Sequence, residues 1–267
     1  MIDLHSHFLY GIDDGADNLE MTRDMLQQAQ SAGIEYLLAT PHINENITGS
    51  GEETIKRRFK EINEWLRTEN LNLKIGLAGE VDYNADIFNW LEHEWILFGK
   101  ERKNILFEIP LFNLPVNFRE MLFHITLKGI TPVMAHPERN IHIQQKPAVL
   151  LDWIRHGCLI QVNAGSILGR FGEKCRRLSH RLLDAQIVTL ISSDAHDPVN
   201  RNYTVMEEAY DLVSREYDPE YAQVLFKINA GKLLNGMEVQ KFEVNAGVLN
   251  LSFSRKIFRK LLNDGRS

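Results

Sequence analysis

The chain has 267 residues, 44% of them hydrophobic, a formal net charge of −6 and a pI near 5.9. That length suits one large core, and the negative balance removes any bulk electrostatic drive toward nucleic acid or an anionic membrane, so an anionic ligand must be held by local positive charge. No apolar run approaches the ~20 residues of a membrane-spanning helix; Cys158 and Cys175 form no CxxC pair and follow no secretory leader, so a soluble cytoplasmic protein is expected.

The first strand is IDLH at 2–5, and it runs into the motif HSH. Side chains at i and i+2 of a strand share a face, so His5 and His7 can grip one object together. A glycine turn and the acidic pair Asp13-Asp14 follow, then NLEMTRDMLQQAQSAG, which has helical period and stops at Gly33. YLLATPH at 36–42 reads as the second strand and ends on His42. EETIKRRFKEINEWLRTEN, with apolar residues recurring at three and four, reads as a helix. LKIGLAGEV at 73–81 carries Glu80, ILFEIP at 105–110 carries Glu108, and ITPVMAHP at 130–137 carries His136. LIQVNAG at 159–165 and VTLISSDAH at 188–196, with Asp194 and His196, complete seven strands. Strands alternating with helices in this way argue for a parallel α/β fold, closed as a barrel or left as an open sheet.

No repeat or linker divides the chain, but the pattern changes near residue 239. Residues 1–239 are expected to form the core and 240–267 an extension ending in a basic amphipathic helix. Within SRKIFRKLL at 254–262, Ile257, Phe258, Leu261 and Leu262 form the apolar face, and Arg255, Lys256, Arg259 and Lys260 the basic one. Such a helix can dock on the core, or meet a membrane surface or a partner.

In parallel α/β folds the carboxyl ends of the strands share one face, so His5, His7, His42, Glu80, Glu108, His136, Asp194 and His196 should converge despite their separation in sequence. Imidazole suits zinc, iron and manganese, and carboxylates suit harder ions and can bridge two. Asp14 brings the candidates to nine. Nine ligands exceed the needs of one ion, which points to two or three sharing a bridging carboxylate, with Glu80 as the bridge. Asp13 could replace Asp14, the other of the pair capping the following helix. Cys175 to Arg181 also spells C-x5-R, the formula of cysteine-dependent tyrosine phosphatases. The intervening RRLSH offers no glycine to let the backbone cradle phosphate, and EKCRRLSHRLLDA reads as a helix, so Cys175 is expected to be an ordinary helical residue.

The motifs HSH, ATPH, AHPER and SSDAH, in this order, resemble the PHP (polymerase and histidinol phosphatase) superfamily. HSHFLYGIDDGA with TPH, AHPERN and SSDAH more closely resembles the manganese-dependent protein-tyrosine phosphatases of bacterial capsule and exopolysaccharide operons, the CpsB/CapC/YwqE group. The resemblance covers about residues 1–239. It implies a distorted (β/α)7 TIM-like barrel with a trinuclear site at the C-terminal ends of the strands, of manganese, or of iron or zinc. One ion would take His5, His7, Glu80 and Asp194, a second Glu80, Glu108 and His136, and a third Asp14, His42 and His196. Arg139 and Arg201, on loops after the fifth and seventh strands, would bind the phosphate and stabilise its transition-state charge with their planar guanidinium forks. The implied substrate is a phosphotyrosine protein, the tyrosine-rich tail of a bacterial tyrosine autokinase, met in the cytoplasm or at the inner face of its membrane. The rivals are a PHP phosphoesterase acting on a small metabolite such as histidinol phosphate, and a metal-stabilised binding module of a polysaccharide-assembly complex.

Overall fold

The computed structural model describes residues 1–44, 47, 49–69, 71–83 and 87–250. Its strands are β1 (Ile2–Ser6), β2 (Tyr36–Ala39), β3 (His42–Ile43), β4 (Lys74–Leu77), β5 (Glu80–Asp82), β6 (Asn104–Glu108), β7 (Thr131–Met134), β8 (Leu159–Asn163) and β9 (Leu190–Ser192). They fall at the seven expected places, two of which are each broken into a pair. Thr40-Pro41 interrupts the second, where Pro41 has no N–H to give the ladder and its carbonyl accepts instead from Glu80 N–H at 3.0 Å. Ala78-Gly79 interrupts the third. A Cβ on Gly79 would lie 2.4 Å from Ile43 Cγ1, so only glycine permits this approach of the two strands.

All ladder pairings are parallel, in the orders β1-β2-β4 and β3-β5-β6-β7-β8-β9. A parallel bridge between Ser6 and Ala195 joins the last strand to the first. Asp194 N–H donates to the His5 carbonyl at 3.0 Å, and His7 N–H to the Ala195 carbonyl at 2.9 Å. The wall therefore closes into a distorted seven-stave barrel, each broken pair counting as one stave.

Leu4, Leu38, Leu106, Val133, Leu159 and Leu190 come from six strands yet form one buried cluster, which only the barrel interior can hold. Two residues further on, the same faces of β6 and β8 present Glu108 and Gln161, so the interior changes from an apolar floor to a polar mouth. Outside, the helix Leu19–Ser31 begins where Asn18 accepts the Met21 N–H at 2.9 Å and buries Thr22, Met25, Leu26 and Ala29, one stripe at three- and four-residue spacing. The helix Glu173–Asp184 contains the C-x5-R segment and buries Cys175, Leu178 and Leu182 on its inner side.

Leu233 and Val239 join the floor cluster from below. Beyond them Asn245 N–H donates to the Ala185 carbonyl at 3.0 Å and Arg181 Nη2 to the Leu249 carbonyl at 2.9 Å, so the chain runs along the outside of the helix Glu173–Asp184. The expected basic helix at 254–262 lies outside the described residues. Among the described residues no helix is long and apolar enough to cross a membrane.

Candidate metal and phosphate site

β1 and the residue that follows it deliver His5 and His7 to the mouth with their Nε2 atoms 3.2 Å apart. Both face Glu80 Oε2, at 3.1 and 3.3 Å, and Asp194 Oδ1, at 3.4 and 3.6 Å. All four residues are buried. Behind them, Gln161 Oε1 accepts from His5 Nδ1 at 2.9 Å and Asp13 Oδ2 from His7 Nδ1 at 2.7 Å. Once an imidazole is neutral with its ring proton on Nδ1, it turns the Nε2 lone pair inward, so two nitrogens and two carboxylate oxygens are placed to share one cation. Carboxylates packed in this way need positive charge among them, a proton on the imidazoles or a bound cation in its place.

Glu80 is central because its two oxygens face different partners. Oε1 lies 3.1 Å from His136 Nε2, and Oε2 serves His5, His7 and also His42 Nδ1 at 3.3 Å. Glu108 approaches His136 Nε2 at 3.5 Å and His42 Nδ1 at 3.3 Å. On the far side, Asp14 Oδ1 lies 3.2 Å from His196 Nε2 and 3.5 Å from His42 Nε2. The structure thus brings all nine candidates together, and their donor atoms fall into overlapping groups of three and four.

The geometry also separates the acidic pair. Asp13 is turned inward, held by His7 Nδ1 and by the N–H groups of His42 and Gly15, both at 3.0 Å. Asp14 alone reaches the mouth. A Cβ on Gly15 would lie 2.0 Å from the His7 carbonyl oxygen, so glycine lets the turn press against the strand.

Arg139 Nη1 lies 3.1 Å and Arg201 Nη2 2.7 Å from Asp194 Oδ2, the oxygen turned away from the histidines. Asn163 Nδ2 donates to the same atom at 2.6 Å. Both guanidiniums lie beside the Phe171 ring, at 4.8 and 5.7 Å from its centroid. They border a cavity of about 350 Å³ whose wall also includes Asp14, His42, Glu108, His136 and His196, with Tyr83, Ile109, Pro110 and Leu111 on its apolar side. His136 and Asp194 adopt positive φ, +31° and +55°, a conformation that costs a non-glycine residue about 1–3 kcal/mol and clusters at functional sites.

Electrostatics follow from this crowding. Burial raises the Glu80 carboxyl, but the charge of His5, the His136 hydrogen bond and the close approach of His5 and His7 outweigh it and hold the group well below the usual range. Asp194 is likewise held down, against burial, by His5 and Arg201. Burial pushes His7 down, yet Asp13 and Glu80 lift it to about 9. His196 goes the other way, lowered by burial and by the neighbouring His7. The acids therefore stay ionised and acceptor-only.

Four atoms of the cluster, Glu80 Oε2, His42 Nδ1, His196 Nε2 and Asp82 Oδ1, are buried with no hydrogen-bond partner among the described residues. Buried polar atoms are otherwise almost always satisfied, and imidazole nitrogens mixed with carboxylate oxygens suit borderline to hard divalent cations. The donor set fits metal.

Sequence reasoning missed Asp82, Gln161, Asn163 and Phe171. Asp82 carried a signal, since it stands two residues after Glu80 and shares its face; its Oδ1 lies 3.7 Å from His42 Nδ1. Cys175 is buried on its helix and is absent from the cavity wall; burial, with the nearby Glu138, pushes its thiol up and makes it a poorer nucleophile.

Residues 1–235 match the family described as "Capsular polysaccharide synthesis, CpsB/CapC". The tyrosine-protein phosphatase YwqE of Bacillus subtilis is 31% identical over 243 residues, spanning 90% of this chain and 93% of that protein. The tyrosine-protein phosphatase CpsB of Streptococcus pneumoniae is 28% identical over 242 residues, spanning 88% and 98%. A crystal structure from work on YwqE and CpsB, described as unique metal-dependent tyrosine phosphatases, superimposes with a TM-score of 0.85 at 30% identity and covers 91% of this chain and 98% of its own.

Proposed function

This chain belongs to the CpsB/CapC family of capsular polysaccharide synthesis, and we propose that it is a metal-dependent protein-tyrosine phosphatase. The observation that carries the reading is the convergence of His5 Nε2, His7 Nε2, Glu80 Oε2 and Asp194 Oδ1, two imidazole nitrogens that lie 3.1–3.6 Å from two carboxylate oxygens, beside two arginines at the mouth of a cavity.

In this reading His5, His7, Glu80 and Asp194 hold one ion, Glu80, Glu108 and His136 a second, and Asp14, His42 and His196 a third, with manganese as the native metal. Bound ions of this kind activate water and neutralise phosphoryl charge. The chain's own residues do the rest. Arg139 and Arg201, already aimed into the cavity by Asp194, take the nonbridging phosphoryl oxygens through charge-assisted hydrogen bonds that strengthen as charge redistributes. Gln161 and Asp13 fix the tautomers of His5 and His7. A phenolate leaving group, with a pKa near 10, departs with little help from a general acid, which suits a site whose carboxylates are ionised.

The substrate in this account is a phosphotyrosine protein of capsule synthesis, the tyrosine-rich tail of a bacterial tyrosine autokinase, and the enzyme works in the cytoplasm, where ATP-dependent phosphorylation takes place. Steady-state kinetics on a phosphotyrosine peptide and on histidinol phosphate test the reading. A kcat/KM at least about tenfold higher for the peptide is expected; preference for histidinol phosphate would assign the chain to metabolite hydrolysis.

A further inference from the structure

Phe112 is 68% exposed, an unusual position for a large aromatic side chain, and it directly follows Ile109, Pro110 and Leu111, which form the apolar side of the cavity wall. The segment bearing it is tied down. Asn140 Nδ2 donates to the carbonyls of Pro110 and Asn113 at 2.7 and 2.9 Å, Ile141 N–H to that of Leu111 at 3.0 Å, and His142 Nε2 to that of Phe112 at 2.9 Å. The donors belong to the three residues that follow Arg139. One short stretch of chain therefore sets both a phosphate-facing guanidinium and the backbone that presents Phe112. Ile141, 37% exposed, is joined to Leu111 by that backbone bond, so a further exposed apolar residue stands next to the segment that bears Phe112.

We propose that Phe112, with Leu111 and Ile141, is the docking surface for an apolar residue flanking the phosphotyrosine of an extended polypeptide substrate. The inference rests on the phosphatase reading and adds which part of the substrate is recognised. The aryl phosphate enters the cavity, and the next residues of the chain leave over the lip that Phe112 forms. Four hydrogen bonds hold this backbone before substrate arrives, so contact with it costs little ordering entropy. An aromatic side chain that gives up its water only on contact is the kind of group that dominates peptide recognition.

Two phosphotyrosine peptides that differ only in the residue after phosphotyrosine, leucine or serine, test the proposal alongside p-nitrophenyl phosphate. The parent protein should favour the leucine peptide by about five- to tenfold in kcat/KM, mainly through KM, as burying one aliphatic side chain provides. Phe112→Ser should erase that preference and leave p-nitrophenyl phosphate within about twofold, because the small ester does not reach beyond the cavity wall; Phe112→Leu should restore part of it. Equal treatment of both peptides by the parent, or a preference retained in Phe112→Ser, would overturn the docking surface while leaving the phosphatase reading intact. Turnover of p-nitrophenyl phosphate with neither peptide hydrolysed would overturn both. Loss of binding to anionic lipid vesicles in Phe112→Ser, with peptide kinetics unchanged, would reassign the patch to a membrane and overturn the proposal.

Discussion

Arg201 Nη2 lies 2.7 Å from Asp194 Oδ2, while the other oxygen of the same carboxylate lies 3.4 Å from His5 Nε2. One side chain thereby ties the arginine pair to the histidine cluster. Asp194→Asn keeps the shape but removes the charge from both connections, so metal affinity should fall by about ten- to a hundredfold and substrate KM should rise in the same variant. Calorimetric titration of manganese and steady-state kinetics on one preparation check this; a change in only one of the two would separate the arginines from the metal centre.

In the proposed mechanism Arg139 binds phosphate and no metal. Arg139→Ala should lower kcat/KM by roughly 10²–10³, the range for losing one preorganised donor, with metal content unchanged because arginine offers no lone pair. Arg139→Lys should recover only part of the loss, since an ammonium keeps the charge without the fork. Near-normal kinetics in the alanine variant would remove Arg139 from the site, and metal loss would make it a support for His136.

Cys175 sits on a helix and is not part of the cavity wall, and burial pushes its thiol up. Cys175→Ser should therefore keep kcat within a few-fold of the parent, and iodoacetamide should leave activity unchanged. A variant with normal metal content and no turnover would restore the cysteine-dependent mechanism.

Glu80 offers one oxygen to His136 and the other to His5, His7 and His42. If it bridges ions as proposed, Glu80→Ala should lose more than one equivalent of metal, whereas Glu108→Ala should lose no more than one. Elemental analysis after desalting measures both; full occupancy in Glu80→Ala contradicts the bridge.

The site was legible because two local rules compound. Period 2 pairs His5 with His7, and the strand-end rule gathers residues as distant as His42 and His196 without any knowledge of their contacts. Less could be read where chemistry is set by tertiary approach. The choice between Asp13 and Asp14 depends on a turn pressed against His7, which adjacent acidic residues do not reveal. Gln161 and Asn163 lie in LIQVN, where two inward amides look like ordinary polar interruptions of a strand until His5 and Asp194 are seen beside them. Phe171 reads as a loop aromatic, and only folding sets it beside both guanidiniums. The breaks at Pro41 and Gly79 were written in the residues themselves, but apolar flanks on either side make each pair look like one strand.

The most direct test of the account is hydrolysis of a phosphotyrosine peptide followed through chelation and restoration of metal. Protein stripped with a strong chelator and desalted should hold less than about 0.1 equivalent of divalent metal and show turnover reduced by at least about a thousandfold, because the buried acceptors around Glu80 then have no cation to organise water and phosphate. Added manganese should restore activity in step with metal bound. Turnover that persists in the stripped protein at unchanged rate, with metal content verified in the same sample, would contradict the account.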